Sequence, residues 1–108
     1  MNFPADADGD ALRRVSEDGA DMSNPMIIDF TVLAPDESSA RAIAELAEAQ
    51  GFDPSISDEG GSGKWSVYCS KSMLATHAGV VAEQVTLTAL AAPKGGRCDG
   101  WASFGNGG

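Results

Sequence analysis

The stretch Trp65-Ser66-Val67-Tyr68-Cys69-Ser70-Lys71-Ser72-Met73 decides the fold of this chain. Its first six residues alternate between an apolar or aromatic set and a set in which every side chain bears a hydroxyl group. This period of two is typical of a half-buried strand. The stretch follows Gly60-Gly61-Ser62-Gly63 and leads into a helical pattern. We therefore predict a central strand that a hairpin loop joins to the strand before it and that leads directly into a helix.

The residues before this strand predict a strand, a helix and a second strand. Residues 26–33 alternate between apolar and polar side chains, as the first strand of a sheet would. Pro35 then opens a helix that Gly51 closes. Residues 52–57 alternate again, but Pro54 has no amide proton to donate, so we place this strand at an edge of the sheet. The apolar stripe of the helix is predicted to consist of Ala40, Ile43, Leu46 and Ala47.

The residues after it predict a long helix and a last strand. Residues 74–92 have a helical pattern that Pro93 ends. At 100° per residue, one side collects a set of small apolar residues, and we predict that this side packs on the sheet: Ala78, Val81, Ala82, Val85, Ala89 and Ala92. Val80, Leu87 and Leu90 fall outside this set, and we expect the N-terminal helix or a second copy to cover them.

Residues 98–104 predict the last strand, with Gly100, Ala102 and Phe104 on one face and Trp101 on the other. Residues 10–19 add a short helix at the start of the chain, whose apolar face is limited to Leu12 and Val15. The order of elements predicts an α+β, ferredoxin-like two-layer sandwich, in which two helices cover a four-stranded antiparallel sheet and an N-terminal helix is added. Right-handed crossovers and the edge position of the second strand favour the strand order four, one, three, two.

The organisation of the chain is that of one small domain. Residues 1–22 form an acidic segment with the short helix, residues 23–104 the ferredoxin-like domain, and residues 105–108 a flexible tail. Cys69 and Cys98 are predicted to lie on strands that the first strand separates, which is too far apart for a disulfide bond. The first residues have neither the basic nor the apolar region of a signal peptide, and no apolar stretch is long enough to span a membrane, so we expect a cytoplasmic protein.

The charge of the chain limits its partners. Its 108 residues include 16 Asp and Glu against 7 Lys and Arg, a formal net charge of −9 at pH 7. Attraction to phosphate backbones is therefore not the basis of any interaction, and we predict no direct binding of nucleic acid. A basic protein is the better expectation for a partner.

Metal sites and catalytic groups are weakly indicated. Asp6, Asp8, Asp10 and Glu17 have the spacing of calcium ligands, but the required glycine is replaced by Ala11, so we predict a plain acidic helix start. The one histidine, His77, is interpreted as a surface residue without a catalytic partner, and Cys69 as a core thiol. We predict no catalytic residue, no cofactor and no metal site.

Four local motifs resemble those of a known family. They are Glu17-Asp18-Gly19-Ala20-Asp21, Trp65-Ser66-Val67-Tyr68-Cys69 with Met73, Glu83-Gln84-Val85, and Asp99-Gly100-Trp101. Together they resemble the regulator of ribonuclease activity B family, the small acidic protein inhibitors of ribonuclease E, over residues 12–104. The resemblance implies a ferredoxin-like sandwich with an added N-terminal helix, a cytoplasmic location, and non-catalytic binding to the basic, arginine-rich C-terminal scaffold region of ribonuclease E. The chain differs from the best-known members in ending at Gly105-Asn106-Gly107-Gly108 rather than in a long acidic tail.

The residues expected to bind this partner are carboxylates and two aromatic side chains. A basic segment would be attracted by acidic loops, and aromatic rings on an open sheet face would stack on arginine. The residues are Asp18, Asp21, Asp58, Glu59, Tyr68, Asp99 and Trp101. For Trp65, packing in the core is the preferred interpretation.

Two alternatives remain open from the sequence. Ferredoxin-like sandwiches also serve as small-molecule-binding regulatory modules, and a pocket between the sheets of a dimer would favour that function. A homodimer formed through Val80, Leu87 and Leu90 is the second alternative.

Overall fold

The order of helices and strands is the one predicted. The computed structural model describes residues 6–58 and 65–103. Within these ranges the elements are α1 (Ala7–Glu17), β1 (Met26–Ala34), α2 (Glu37–Ala49), β2 (Asp53–Ser57), β3 (Trp65–Met73), α3 (His77–Ala91) and β4 (Arg97–Ser103). A 3-10 turn, Ala92–Lys94, continues α3 through Pro93. Glu59, the loop at Gly60-Gly61-Ser62-Gly63, Phe104 and the tail lie outside the described residues.

The four strands form one antiparallel sheet in the order β2-β3-β1-β4. This confirms the predicted strand order, the central position of β3 and the edge position of the strand that contains Pro54. In the register between the two central strands, Phe30 pairs with Cys69 and Thr31 with Tyr68. The fold is therefore the predicted α+β arrangement, with helices against one face of the sheet.

The core lies between that face and the helices. Alternate residues of β1, from Met26 to Ala34, are buried. The buried residues of α2 are Ala40, Ile43, Ala44 and Ala47. The prediction for Leu46 is wrong, since its side chain is 41% exposed. The spacing i, i+3, i+4, i+7 centres the stripe on the alanines, and it leaves Leu46 at the margin.

The buried face of α3 is the opposite of the one predicted. Val80, Leu87 and Ala91 are buried in the core, whereas Val85 is 63% exposed. Leu90 also packs against the core. The predicted stripe of small apolar residues instead lies to the side and toward solvent, because α3 is apolar around most of its circumference and its sequence does not single out one face. Val80 and Leu87 are covered within the common core, which includes Leu12 and Val15 of the N-terminal helix as well as residues of the strands.

A β-bulge in β4 reverses the predicted face of Trp101. Cys98 pairs with Val32 and Trp101 with Phe30, so two residues of β4 stand opposite Thr31. Gly100, one of those two, has a φ of +102°, which a residue with a side chain rarely adopts. The extra residue turns Trp101 toward the helices, where it packs against the core. The prediction that Trp101 lies on the open face is therefore wrong, and Ala102 pairs with Asp29 there instead.

Each long helix begins at a side chain that accepts a hydrogen bond from a backbone amide of its first turn. These caps are Asp6 to the amide of Gly9, Asp36 to that of Ser39, and Thr76 to that of Gly79. The cap at Asp6 explains why α1 starts earlier than predicted. Leu12 and Val15 are both buried and join the common core. Among the described residues, no helix has the length and apolarity needed to cross a membrane.

Candidate functional site

The junction of α1, α3 and β4 is organised around one carboxylate. Oδ1 of Asp8 accepts a hydrogen bond from Nε1 of Trp101 at 2.9 Å and another from Nε2 of Gln84 at 3.0 Å. The three residues belong to three different elements, and Asp8 is half-buried between them. Hydrogen bonds that involve an ionised group are stronger than neutral ones. This carboxylate therefore fixes α1 against α3 and the last strand.

A second polar contact joins the starts of α1 and α3. Nε2 of His77 lies 2.9 Å from Oδ2 of Asp6. The backbone amide of Gly9 and, next, the hydrogen bond with His77 lower the pKa of Asp6 below its ordinary value of 3.8. His77 was predicted to be a surface residue, and the structure gives it a partner and leaves its side chain 31% exposed. This pair connects two helix ends, and the imidazole carries charge only when it is protonated.

The four carboxylates with calcium-type spacing do not converge on one point. Asp6 caps α1, Asp8 accepts from Trp101, and Asp10 pairs with Arg13 at 2.5 Å. Among the residues that the structure describes, no group of three or more His, Cys, Asp or Glu side chains is placed to hold a metal ion. The acidic start of α1 thus serves the helix and its packing.

The two cysteines are free thiols on strands that β1 separates. Cys69 is fully buried, and burial raises the pKa of its thiol to about 12. Burial is also the main cause that raises the pKa of Cys98, which is only half-buried. Neither thiol has the electropositive surroundings that favour a reactive thiolate.

The motif Glu83-Gln84-Val85 places three neighbouring side chains in three different environments. Oε2 of Glu83 accepts from Nζ of Lys71 on β3 at 2.8 Å. Gln84 donates to Asp8, and Val85 is exposed on the outer side of α3. The motif therefore joins α3 to β3 and to α1, and it leaves an aliphatic side chain free on the surface.

The residues predicted to bind a partner are distributed over several surfaces. Asp18 follows α1, and Asp21 lies in the connection to β1; both are exposed. Asp21 accepts from the hydroxyl and the amide of Ser23 and from Asn24, and these bonds, those of Ser23 foremost, lower its pKa. Asp58 is exposed just after the edge strand β2, and Glu59 is outside the described residues.

Tyr68 and Asp99 lie on the two strands that flank β1, each beside Thr31. Tyr68 lies on the open face and pairs with Thr31, whose other neighbour in the sheet is the bulge that contains Asp99. Tyr68 is half-buried and Asp99 exposed. The placement of Tyr68 on the open face agrees with the prediction. Trp101 does not join them, because the bulge turns it to the other face.

A groove that the sequence did not predict runs between α3 and β4. Its volume is about 430 Å³, and it is open to solvent. Val81, Val85 and Ala89 line it from α3, Cys98 from β4 and Asp8 from α1. The signal for this groove was present in the sequence, in the stripe of small apolar residues on α3, but that stripe was assigned to the core. The groove lies beside β4, which is an edge strand of the sheet.

Comparison with known proteins gives one match. The family model described as Regulator of ribonuclease activity B (RraB) matches residues 5–103. No curated protein and no solved structure matches the chain. The matched span includes every helix and strand described above and all four sequence motifs.

Proposed function

The chain belongs to the regulator of ribonuclease activity B family, and from this premise we propose that it binds ribonuclease E in the cytoplasm and inhibits its endoribonuclease activity. The proposed binding site on the enzyme is its basic, arginine-rich C-terminal scaffold region. The regulator acts by occupying that region and carries out no catalysis itself.

The observation that carries this proposal is the excess of exposed carboxylates over available cations. The net charge is −9. Three of the cations are already paired within the protein, Arg13 with Asp10, Arg41 with Glu37 and Lys71 with Glu83. Asp18, Asp58 and Asp99 are exposed at the ends or bends of elements. A surface of this kind attracts a basic chain over a distance and speeds its encounter.

The open face of the sheet does not suit nucleic acid. Many ferredoxin-like domains that bind RNA stack bases on aromatic side chains of this face and hold the phosphates with basic ones. Here the face carries Tyr68 among serines, with two carboxylates, Asp29 and Asp53, and one Arg, Arg97. The carboxylates outnumber the cation on this face, which lacks a basic cluster for phosphates among the described residues, and this favours a protein partner over a direct contact with RNA.

A titration against the purified C-terminal region of ribonuclease E from the same cell tests the proposal. We expect binding that weakens as the salt concentration rises, and slower cleavage of RNA by the full-length enzyme when the regulator is present. Absence of binding at both low and moderate salt would overturn the proposal.

A charge-matched pair of variants tests the electrostatic argument. The double variant Asp18→Asn with Asp58→Asn removes two exposed charges at predicted contact positions. The substitution at Asp18 should not destabilise α1, because a negative charge at the C-terminus of a helix is unfavourable. Glu45→Gln with Glu48→Gln removes two exposed charges from α2. The first pair should slow association several-fold, and the second pair less. Equal effects would show that net charge alone, and no particular acidic surface, guides the encounter.

A further inference from the structure

The groove between α3 and β4 is lined by several neighbouring apolar side chains that are exposed to solvent. Val85 is 63% exposed, and Ala89 is exposed beside it. Val81 and Cys98 are half-buried and line the same groove. Exposed apolar side chains that stand singly on a surface need no explanation, but a contiguous set in a groove is typical of an interaction site. Helix α1 reaches this region only at Asp8.

The charges around the groove are negative. Asp8 lines it, and the exposed Asp99 directly follows the lining residue Cys98 in β4. None of the described residues that line the groove is Lys or Arg. The nearest cation in sequence, Arg97, pairs with Leu33 and therefore lies on the other face of the sheet from Cys98. An occupant would thus meet an apolar surface bordered by carboxylates.

We propose that this groove receives a segment of the ribonuclease that has aliphatic side chains on one side and Arg or Lys on the other. This inference rests on the proposed function and assigns the contact to a particular surface. The aliphatic side chains lie against Val81, Val85 and Ala89, and the basic side chains reach Asp8 and Asp99. The electrostatic attraction brings the segment to the protein, and apolar burial in the groove holds it there.

A second copy of this chain fits the groove less well than a basic segment. In a symmetric dimer the same patch faces itself, so the carboxylates beside one groove would meet those of the other. Like charges brought together at an interface disfavour association. With a net charge of −9 on each copy, the charge complementarity favours a basic partner.

Val85→Glu tests the proposal, and Leu46→Glu on α2 is its matched control. Both positions are exposed aliphatic residues in helices, so neither substitution creates a cavity in the core. If the partner is held by charge alone, both variants should bind the basic region as tightly as the wild type or more tightly. If the groove buries the segment, Val85→Glu should weaken binding at least about tenfold, as truncation at the centre of an interface does, and Leu46→Glu should not.

The outcomes separate this inference from the proposed function. If the wild type does not bind the ribonuclease region, the proposed function fails and this inference fails with it. If the wild type binds and Val85→Glu binds as tightly as Leu46→Glu, the assignment of the contact to the groove is wrong and the proposed function stands. If the wild type is a dimer that Val85→Glu converts to a monomer in sedimentation experiments, the groove is occupied by a second copy and the inference is overturned.

Alkylation of Cys98 gives an independent measurement. Cys98 lines the groove, whereas Cys69 is fully buried, so a small alkylating reagent applied to the folded protein reports on Cys98. A saturating amount of the ribonuclease region should slow its modification several-fold, as followed by mass spectrometry. An unchanged rate at saturation would place the partner on another surface.

Discussion

The indole nitrogen of Trp101 donates a hydrogen bond to Oδ1 of Asp8 at 2.9 Å, and the two residues are 93 positions apart in the chain. Asp8 lies on the added N-terminal helix, and Trp101 lies on the last strand of the sheet. The same carboxylate also binds Gln84 at 3.0 Å. Two of the four sequence motifs, those that contain Gln84 and Trp101, thus meet at one carboxylate of the N-terminal helix.

This contact predicts a measurable loss of stability when Asp8 is truncated. Asp8→Ala leaves the indole N–H of Trp101 and the amide of Gln84 without their acceptor, and we expect it to destabilise the protein by about 1–3 kcal/mol. Asp10→Ala on the same helix removes an exposed pair with Arg13 and should cost about 0–1 kcal/mol. Urea unfolding curves measure both. Equal losses would mean that the bonds of Asp8 contribute no more than a surface ion pair.

The buried face of α3 can be tested by truncation. Leu87→Ala should cost about 2–5 kcal/mol, because it opens a cavity in the core. Val85→Ala should change the free energy of unfolding by no more than about 0.5 kcal/mol, as substitutions on a surface do. Chemical denaturation of the two variants under the same conditions is the measurement. If Val85→Ala lowered the free energy of unfolding more than Leu87→Ala, the face predicted from the sequence would be the buried one.

Acid should weaken the contact between the starts of α1 and α3. Since the pKa of Asp6 is lower in the folded than in the unfolded protein, its contribution to stability is complete above the ordinary value of 3.8 and is lost as the pH falls through the lowered value. Asp6→Ser keeps a capping oxygen but does not titrate in this range. The stability of the variant should therefore fall less steeply than that of the wild type as the pH drops from about 5 to about 2. Parallel curves for the two proteins would contradict the assignment.

The close approach at Gly96 predicts a steric effect. A Cβ atom there would lie 2.7 Å from the carbonyl oxygen of Leu33 and 2.8 Å from Cδ1 of Ile43, so Gly96→Ala should cost about 1–3 kcal/mol, as overpacking does. Gly19→Ala is the comparison, because its Cβ would meet nothing within 4 Å and only its positive φ opposes the change. Thermal unfolding of both variants measures the difference. If Gly96→Ala loses less stability than Gly19→Ala, Leu33 and Ile43 can move enough to accommodate the added methyl group.

Much of the fold followed from local patterns. The alternation of β1 and β3, the proline in β2, and Pro35 and Gly51 at the ends of α2 are local signals, and each gave the right element. The start of α1 was predicted three residues too late, at Asp10 instead of Ala7, because the cap at Asp6 was not considered. The strand order also followed, because crossovers have a preferred hand and Pro54 restricts β2 to an edge. The positions of Asp18, Asp58 and Tyr68 on accessible surface needed no more than this.

The groove and the face of Trp101 could not be predicted in the same way. The alternation rule assigns each residue of a strand to a face only while the register is unbroken, and the bulge opposite Thr31 shifts it by one residue. Once Trp101 faces the helices, it meets Asp8 instead of a partner. The groove was missed because its lining residues were assigned to the core.

The sequence by itself determined the order of helices and strands, the pairing of the strands and the acidic character of the surface, because each depends on local periodicity, turn residues or composition. Only the tertiary structure decided which side of α3 is buried and which side of the sheet Trp101 joins. The first depends on packing, since α3 is apolar on several sides and the surrounding helices and strands together bury the face with Val80 and Leu87. The second depends on one extra residue in β4, whose effect on every side chain after it appears only when the strand is paired with β1.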